Sequence, residues 1–380
     1  MYTNMNHAAT SGTKPKEVID ALSAFLHENR HQSAGRGGNE IVAMRTVFES
    51  RSALAKFFGA KNPAHVVFSS GATESLNIAI NGFVSEGCHI LATSLEHNAV
   101  ARTLNLLQQH RRIKVTWLPC APDGSFDPQT IEAAIRPNTQ LLVMTHASNV
   151  LGNMLPVAES FEIAKRQGLF TILDAAQTAG HTEVKLDDNT DIIAFTGHKG
   201  LRGISGIGGL VLNENAPDKI AIWKAGGTGS HSQSLDMPDF LPDKLEPGTP
   251  NMFGIISLTA AVQAINTRGL ETICKHEKTI TARFVDGLRQ LPVVMYGSFD
   301  IERWMPVVSL NIPNMDAGIA AQQLSEEFGI EVRSGLHCAP LAHKTIGTFP
   351  YGTLRFSFGA DTTIQEVEYA LSALAKVATK

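Results

Sequence analysis

Between residues 66 and 212 the sequence repeats one unit: a short apolar run, too brief for a helix, followed by polar or helically periodic chain. The apolar runs fall at 66–70, 89–94, 114–118, 141–145, 169–174, 192–196 and 208–212. Helical periods follow three of them, at 72–84, 98–110 and 157–166. Runs that are apolar throughout suit strands buried on both faces. Their alternation with helices predicts an α/β fold with a mostly parallel, seven-stranded sheet covered by helices. In such sheets a ligand sits beyond the carboxyl ends of the strands, so the residues ending each run are the first to inspect.

From residue 252 the pattern changes. A long helical region is expected over 253–290, then strands near 293–296 and 307–312 and a helix near 317–328. Strands near 331–334 and 353–358 and a last helix from 364 complete a smaller α+β unit. The expected division is a large unit over 15–252 and a small one over 1–14 and 253–380; 380 residues suit two domains at roughly 100–200 residues each. Helices near 15–29 and 40–58 are expected to pack beside the small unit or on a partner subunit. Hydrophobic residues at 43% and charged residues at 18% can build a sizeable core, and a net charge of −4 leaves no electrostatic footprint for nucleic acid. No apolar run reaches the ~20 residues that span a bilayer. The first residues lack signal-peptide character, so a cytoplasmic location without membrane partners is expected. The four cysteines, Cys88, Cys120, Cys274 and Cys338, form no CxxC pair and lie far apart, which speaks against a zinc or disulfide framework and for free thiols. No metal site is expected.

Three run ends carry residues with chemical potential. Ser69-Ser70-Gly71-Ala72-Thr73-Glu74 turns from strand to helix, where N–H groups and the helix dipole favour an anion; an ordinary N-capped turn fits the same residues. Asp174 ends the run 169–174, where a buried carboxylate is costly unless it meets a cation; it could also simply cap the next turn. Lys199, in Thr196-Gly197-His198-Lys199-Gly200, follows another run. An amine near other positive charge there has a lowered pKa and suits Schiff-base chemistry, whereas most lysines are solvated.

Taken in order with Asn6-His7-Ala8-Ala9-Thr10, Glu96-His97-Asn98, Ser148-Asn149-Val150-Leu151-Gly152, Asp174-Ala175-Ala176-Gln177, Gly226–Ser230 and Glu246–Asn251, these segments resemble the class V aminotransferase group of fold-type I enzymes that use pyridoxal 5'-phosphate (PLP). Within it the sequence is most similar to the cysteine desulfurases. The resemblance implies that Lys199 holds PLP as a Schiff base and moves the substrate proton. Asp174 would pair with the pyridine nitrogen, and His97 would stack on the ring and assist proton transfer. Gln177 and Asn149 would bond the ring oxygen or the substrate. Ala72, Thr73 and His198 would bind the phosphate, Gly71 and Thr196 would also contact the cofactor, and Thr249 would reach the phosphate of a second subunit's cofactor in a homodimer.

Arg333-Ser334-Gly335-Leu336-His337-Cys338-Ala339-Pro340 resembles the loop that carries the desulfurase nucleophile. His337 and Arg333 lie near Cys338 in sequence, and positive charge favours a thiolate; a lone cysteine is otherwise a small buried hydrophobe. Cys88, Cys120 and Cys274 read as structural. Arg355, inside the run 353–358, is implied as the clamp for the substrate carboxylate, which suits its planar fork; a solvent-facing strand arginine is the plainer reading. The chain departs from the family pattern at 203–206, where a Pro-Gln pair is usual, and at 359–362, where a Phe-Asn pair is usual. The implied reaction converts L-cysteine to L-alanine with a persulfide on Cys338 that passes to a protein or thiol acceptor. A selenocysteine lyase acting on L-selenocysteine, or another class V aminotransferase or β-lyase, is the alternative.

Overall fold

The computed structural model describes residues 2–27 and 38–379. In chain order the elements are β1 (Thr3–Asn4), α1 (Lys16–His27), α2 (Gly38–Phe58), β2 (Val66–Ser69), α3 (Ala72–Phe83), β3 (His89–Thr93), α4 (Asn98–His110), β4 (Lys114–Leu118), α5 (Gln129–Ala134), β5 (Thr139–Thr145), α6 (Val157–Arg166), β6 (Phe170–Asp174), β7 (Ile192–Thr196) and β8 (Gly208–Leu212). They continue with α7 (Met252–Arg268), α8 (Leu270–Leu288), β9 (Val294–Tyr296), β10 (Val307–Asn311), α9 (Ala317–Phe328), β11 (Ile330–Glu331), β12 (Arg333–Gly335), α10 (Pro340–Thr345), β13 (Thr353–Ser357) and α11 (Ile364–Ala378).

The seven expected strands form one sheet in the order β2-β8-β7-β6-β5-β3-β4. Pairing is parallel from β7 to β4, and β8 runs antiparallel to both β2 and β7. Alternate residues serve opposite faces: Leu141, Val143, Ile172 and Ile192 enter one apolar layer, while Leu142, Met144, Leu173 and Ile193 enter the other. Burial on both sides is why these strands read as unbroken apolar runs, each large aliphatic side chain contributing ~1.5–3 kcal/mol. The sheet's carboxyl edge therefore gathers the Gly71 turn, the 94–97 and 146–149 loops, Asp174 and Lys199.

The helical region expected over 253–290 is two helices. Gly269, at φ +85°, ends α7 and begins α8, a backbone conformation that a helix interior excludes. Ile255, Leu258, Val262 and Ile265 of α7 pack into the large sheet's core. Val18 of α1 packs on Ala260 and Ala261 of α7. A separate cluster starts with Ile280 and Phe284 on α8 and takes in Val308, Leu310, Phe356, Leu374 and also Met5. It lies on the antiparallel sheet β12-β13-β10-β9. The last helix starts with a full capping box, Thr363 and Glu366 exchanging side-chain and backbone bonds.

Residues 3–8 thread between the two sheets. β1 pairs with β11, Ser357 N donates to Met5 O at 2.7 Å, Ala8 N donates to Ser357 Oγ at 2.9 Å, and Gln177 Nε2 donates to Ala8 O at 3.3 Å. Among the described residues no helix is long and apolar enough to cross a membrane.

Candidate active site

A cavity of ≈ 210 Å³ opens at the sheet's carboxyl edge. Gly71, Ala72, Thr73, His97, Asn149, Asp174, Gln177, Thr196, His198 and Lys199 all line it, joined by Ser205 and Gly206. The structure thus brings together ten of the residues singled out in the sequence, drawn from five separate strand ends. Gly71 holds φ at +149° to turn β2 into α3 and leaves the helix's first N–H groups facing the cavity. Gly208, across the sheet, has room for no Cβ: one built there lies 2.6 Å from the Gly71 Cα and 2.5 Å from the Phe195 carbonyl oxygen.

Asp174 closes β6 in the row Thr145, Asp174, Ala194 of the sheet. It is buried, has no ion-pair partner among the described residues, and accepts one bond from Ala176 N at 2.9 Å. Burial raises its pKa, partly offset by that bond and by Lys199. Lys199 Nζ has no hydrogen-bond partner among the described residues. Burial, opposed by Asp174 and aided by Arg355 and Arg333, pushes its amine down to about 8. His97 caps α4: its Nδ1 accepts from Ala99 N at 3.0 Å, which leaves the ring proton on Nε2. Burial and Lys199 hold it neutral, at about 4. His198 likewise is lowered to about 4, chiefly by burial, and its Nδ1 is buried without a partner.

A second group approaches from the small sheet. Arg355 lies in β13 at 1% exposure, so it is no solvent-facing strand residue. Its Nη1 donates to Asn149 O at 2.8 Å and its Nη2 to Asn6 Oδ1 at 3.4 Å, while Nε is buried and unpaired. Burial and the Arg333 charge lower it to about 9. Cys338 is exposed, and its Sγ lies 3.6 Å from Arg333 Nη2. Of the two candidate partners of the thiol, only the arginine meets it: the His337 ring turns inward to Thr353. Cys88 and Cys120 are buried and Cys274 is half-buried. Thr249 is exposed and does not line this cavity; its segment is anchored through Glu246, paired with Arg51 at 2.5 Å.

Glu96 stands in the sequence only as part of the Glu96-His97-Asn98 segment, with no role of its own. It is completely buried, accepts from Thr93 Oγ1 at 2.6 Å and Thr145 N at 2.9 Å, and ties the ends of β3 and β5 together. Burial, with Asp174 nearby, raises it to about 8. The available signal was an acid enclosed between Leu95 and His97 just past an apolar run.

The donor set fits PLP. The cavity supplies a buried carboxylate without an ion-pair partner, an amine without a hydrogen-bond partner among the described residues, a neutral histidine whose Nδ1 accepts from Ala99 N, and a glycine turn at a helix start with an orphaned His198 nitrogen beside it. No group of three or more histidine, cysteine, aspartate or glutamate side chains among the described residues could hold a metal ion.

Residues 3–370 match the family model for class-V aminotransferases, and the chain belongs to that family. Among its curated relatives, a "Probable cysteine desulfurase" of Pyrococcus abyssi is 32% identical over 97% of this chain and 92% of its own length. A cysteine desulfurase of Salmonella agona is 31% identical over 87% of this chain and 83% of its own. The apo structure of a cysteine desulfurase from Thermococcus onnurineus superposes with a TM-score of 0.92 at 30% identity, covering 100% of this chain and 95% of that one.

Proposed function

We propose that the protein is a PLP-dependent cysteine desulfurase that converts L-cysteine to L-alanine and keeps the sulfur on Cys338 as a persulfide. One observation carries the reading: a lysine without a hydrogen-bond partner among the described residues and a buried carboxylate without an ion-pair partner share a cavity, while a buried arginine lies in the neighbouring small sheet and an exposed thiol in the loop that follows β12. Bound PLP supplies an electron sink for charge developing at the substrate Cα. Asp174 would pair with its ring nitrogen, His97 would stack on its ring, and Gly71, Ala72, Thr73, Thr196 and His198 would hold its phosphate end. Lys199 Nζ, partly neutral near pH 8, anchors the cofactor and carries the Cα proton. Arg355, through its free Nε edge, and Asn149 hold the substrate carboxylate.

Cys338 Sγ, assisted by the Arg333 charge, attacks the substrate sulfur. The S–S bond forms as the Cβ–S bond breaks, the electron pair stays on Cβ, and protonation there yields alanine. The persulfide sulfur then passes to a thiol or protein acceptor. The same reading divides the chain into a cofactor-holding unit over 15–252 and a unit over 1–14 and 253–380 that carries the nucleophile and clamp. It assigns exposed Thr249 to a second subunit's cofactor, with a homodimer covering exposed Met44, Phe48 and Trp223, and places the protein in the cytoplasm.

The test uses wild type and Cys338→Ala. Both should show the visible absorption of bound cofactor, and only wild type should release alanine from L-cysteine, with sulfide when a reductant is added. Absorption in both with no alanine from either overturns the substrate, and L-selenocysteine is then tried.

A further inference from the structure

The Cys338 loop is built from two consecutive left-handed residues that are not glycine, His337 at φ +47° and Cys338 at φ +58°. Each costs on the order of 1–3 kcal/mol, so the surroundings must hold the loop in place. Three contacts do, the last two of them buried. Asn98 N donates to Cys338 O at 2.7 Å, Asn149 Nδ2 donates to His337 O at 2.7 Å, and the His337 ring meets Thr353.

The third contact continues into a closed circuit. Ser309 Oγ donates its only hydrogen to Val150 O at 2.6 Å, so it accepts from Thr353 Oγ1 at 3.2 Å. That hydroxyl's hydrogen is then spent as well, and both Thr353 oxygens can only accept. His337 Nε2, at 3.0 Å from Thr353 Oγ1 and 3.1 Å from Thr353 O, must therefore be the donor. Its Nδ1 is left as a buried lone pair with no partner. Asn149, next to Val150, returns to the His337 carbonyl and closes the ring. All five residues are buried: Asn149, Val150, Ser309, His337 and Thr353. Arg355 Nη1 joins at the Asn149 carbonyl. The circuit ties the nucleophile loop, the large unit's 148–151 loop and the carboxylate clamp into one frame.

We infer that His337 is a positioning residue: its Nε2–H tautomer holds the strained loop against Thr353 and Asn149, so that Cys338 stands at a preset distance from whatever Arg355 clamps. Burial, Arg355, His343 and Arg333 keep the ring neutral, at about 2, in keeping with one fixed tautomer. The kinetic part of this inference rests on the desulfurase reading; the loop's order does not.

The variants are His337→Ala, His337→Gln, whose amide N–H reaches about where Nε2 stands, and Ser309→Ala, which breaks the circuit without touching the loop. Two readouts are taken: hydrogen exchange of peptides covering 333–345, and kcat and KM for alanine release. In His337→Ala exchange there should quicken while peptides over β5–β7 stay unchanged. Loss of about an ångström of register lowers kcat about 10- to 100-fold with KM within about twofold. His337→Gln should restore both, and Ser309→Ala should move both in the same direction by less. Unchanged exchange in His337→Ala and Ser309→Ala overturns the inference, as does a kcat that Gln fails to restore while Gln restores loop protection. If His337→Ala does not fold, Ser309→Ala decides. If wild type makes no alanine, the desulfurase reading fails and exchange alone judges the loop.

Discussion

Replacing Arg355 by lysine keeps a positive charge and removes the planar fork. In the structure the guanidinium spends Nη1 on Asn149 O and Nη2 on Asn6 Oδ1, and it keeps Nε free at the buried edge. A lysine ammonium reaching the same place can keep one strong contact, either to Asn149 O or to a carboxylate, but not the paired geometry. A hydrogen bond between charged groups is worth about 1.5–3 kcal/mol, so losing one of two lowers kcat/KM for L-cysteine about 10- to 150-fold. The loss should lie mainly in KM, because the clamp grips the carboxylate equally before and during reaction. The assay compares L-cysteine with cysteamine, which has no carboxylate. Wild type should prefer L-cysteine, and Arg355→Lys should lose most of that preference while its cysteamine rate changes little. An undiminished preference in the variant refutes the clamp. A lost cysteamine rate with an unchanged melting temperature would assign Arg355 to the chemistry instead.

Two further outcomes follow from burial and close packing. Glu96 has a folded pKa near 8 against an ordinary value of 4.5, so the folded state binds the extra proton and stability is lost as pH rises from about 4.5 through 8. Glu96→Gln, neutral at every pH, should flatten that fall by up to a few kcal/mol in denaturant melts at pH 5 and 8; an identical fall in wild type and variant rejects a protonated Glu96. Gly208→Ala drives a methyl against the Gly71 Cα and the Phe195 carbonyl, which should cost about 1–3 kcal/mol in thermal unfolding and loosen retention of PLP on dialysis; full retention with unchanged stability would mean that the β2–β8–β7 edge yields freely.

The sheet was legible because its strands are buried on both faces, which writes them as unbroken apolar runs, and because one-sided sheet edges concentrate chemistry at run ends. Gly71, Asp174 and Lys199 were found that way. What escaped depended on contacts distant in sequence or on elements too short for periodicity. The six-residue helices α5 and α10 hold fewer than two turns each and show no repeat. The break at Gly269 left the apolar period of its flanks intact, so two helices read as one. His337 adjoins Cys338 in sequence and Arg333 lies five residues before it, yet the β12–β13 pairing, which sets Gly335 opposite Thr353, turns the nearer histidine inward and leaves the arginine beside the thiol. Glu96 carries no spacing signal; its importance lies wholly in its burial.

The threading of residues 3–8 between the sheets has a consequence for the order in which the molecule becomes reactive during synthesis. Lys199 and the strand ends around it are made early, but Met5 O and Ala8 N find their partner only when Ser357 exists, and Arg355 is placed in the same strand. A nascent chain that stops short of β13 can shape the lysine's surroundings yet lacks the clamp and the frame for the thiol loop. An unfinished chain therefore never carries an armed amine and an armed thiol together, and thiol reagents applied to stalled chains of increasing length should find Cys338 taking up its final reactivity only once residue 357 has emerged.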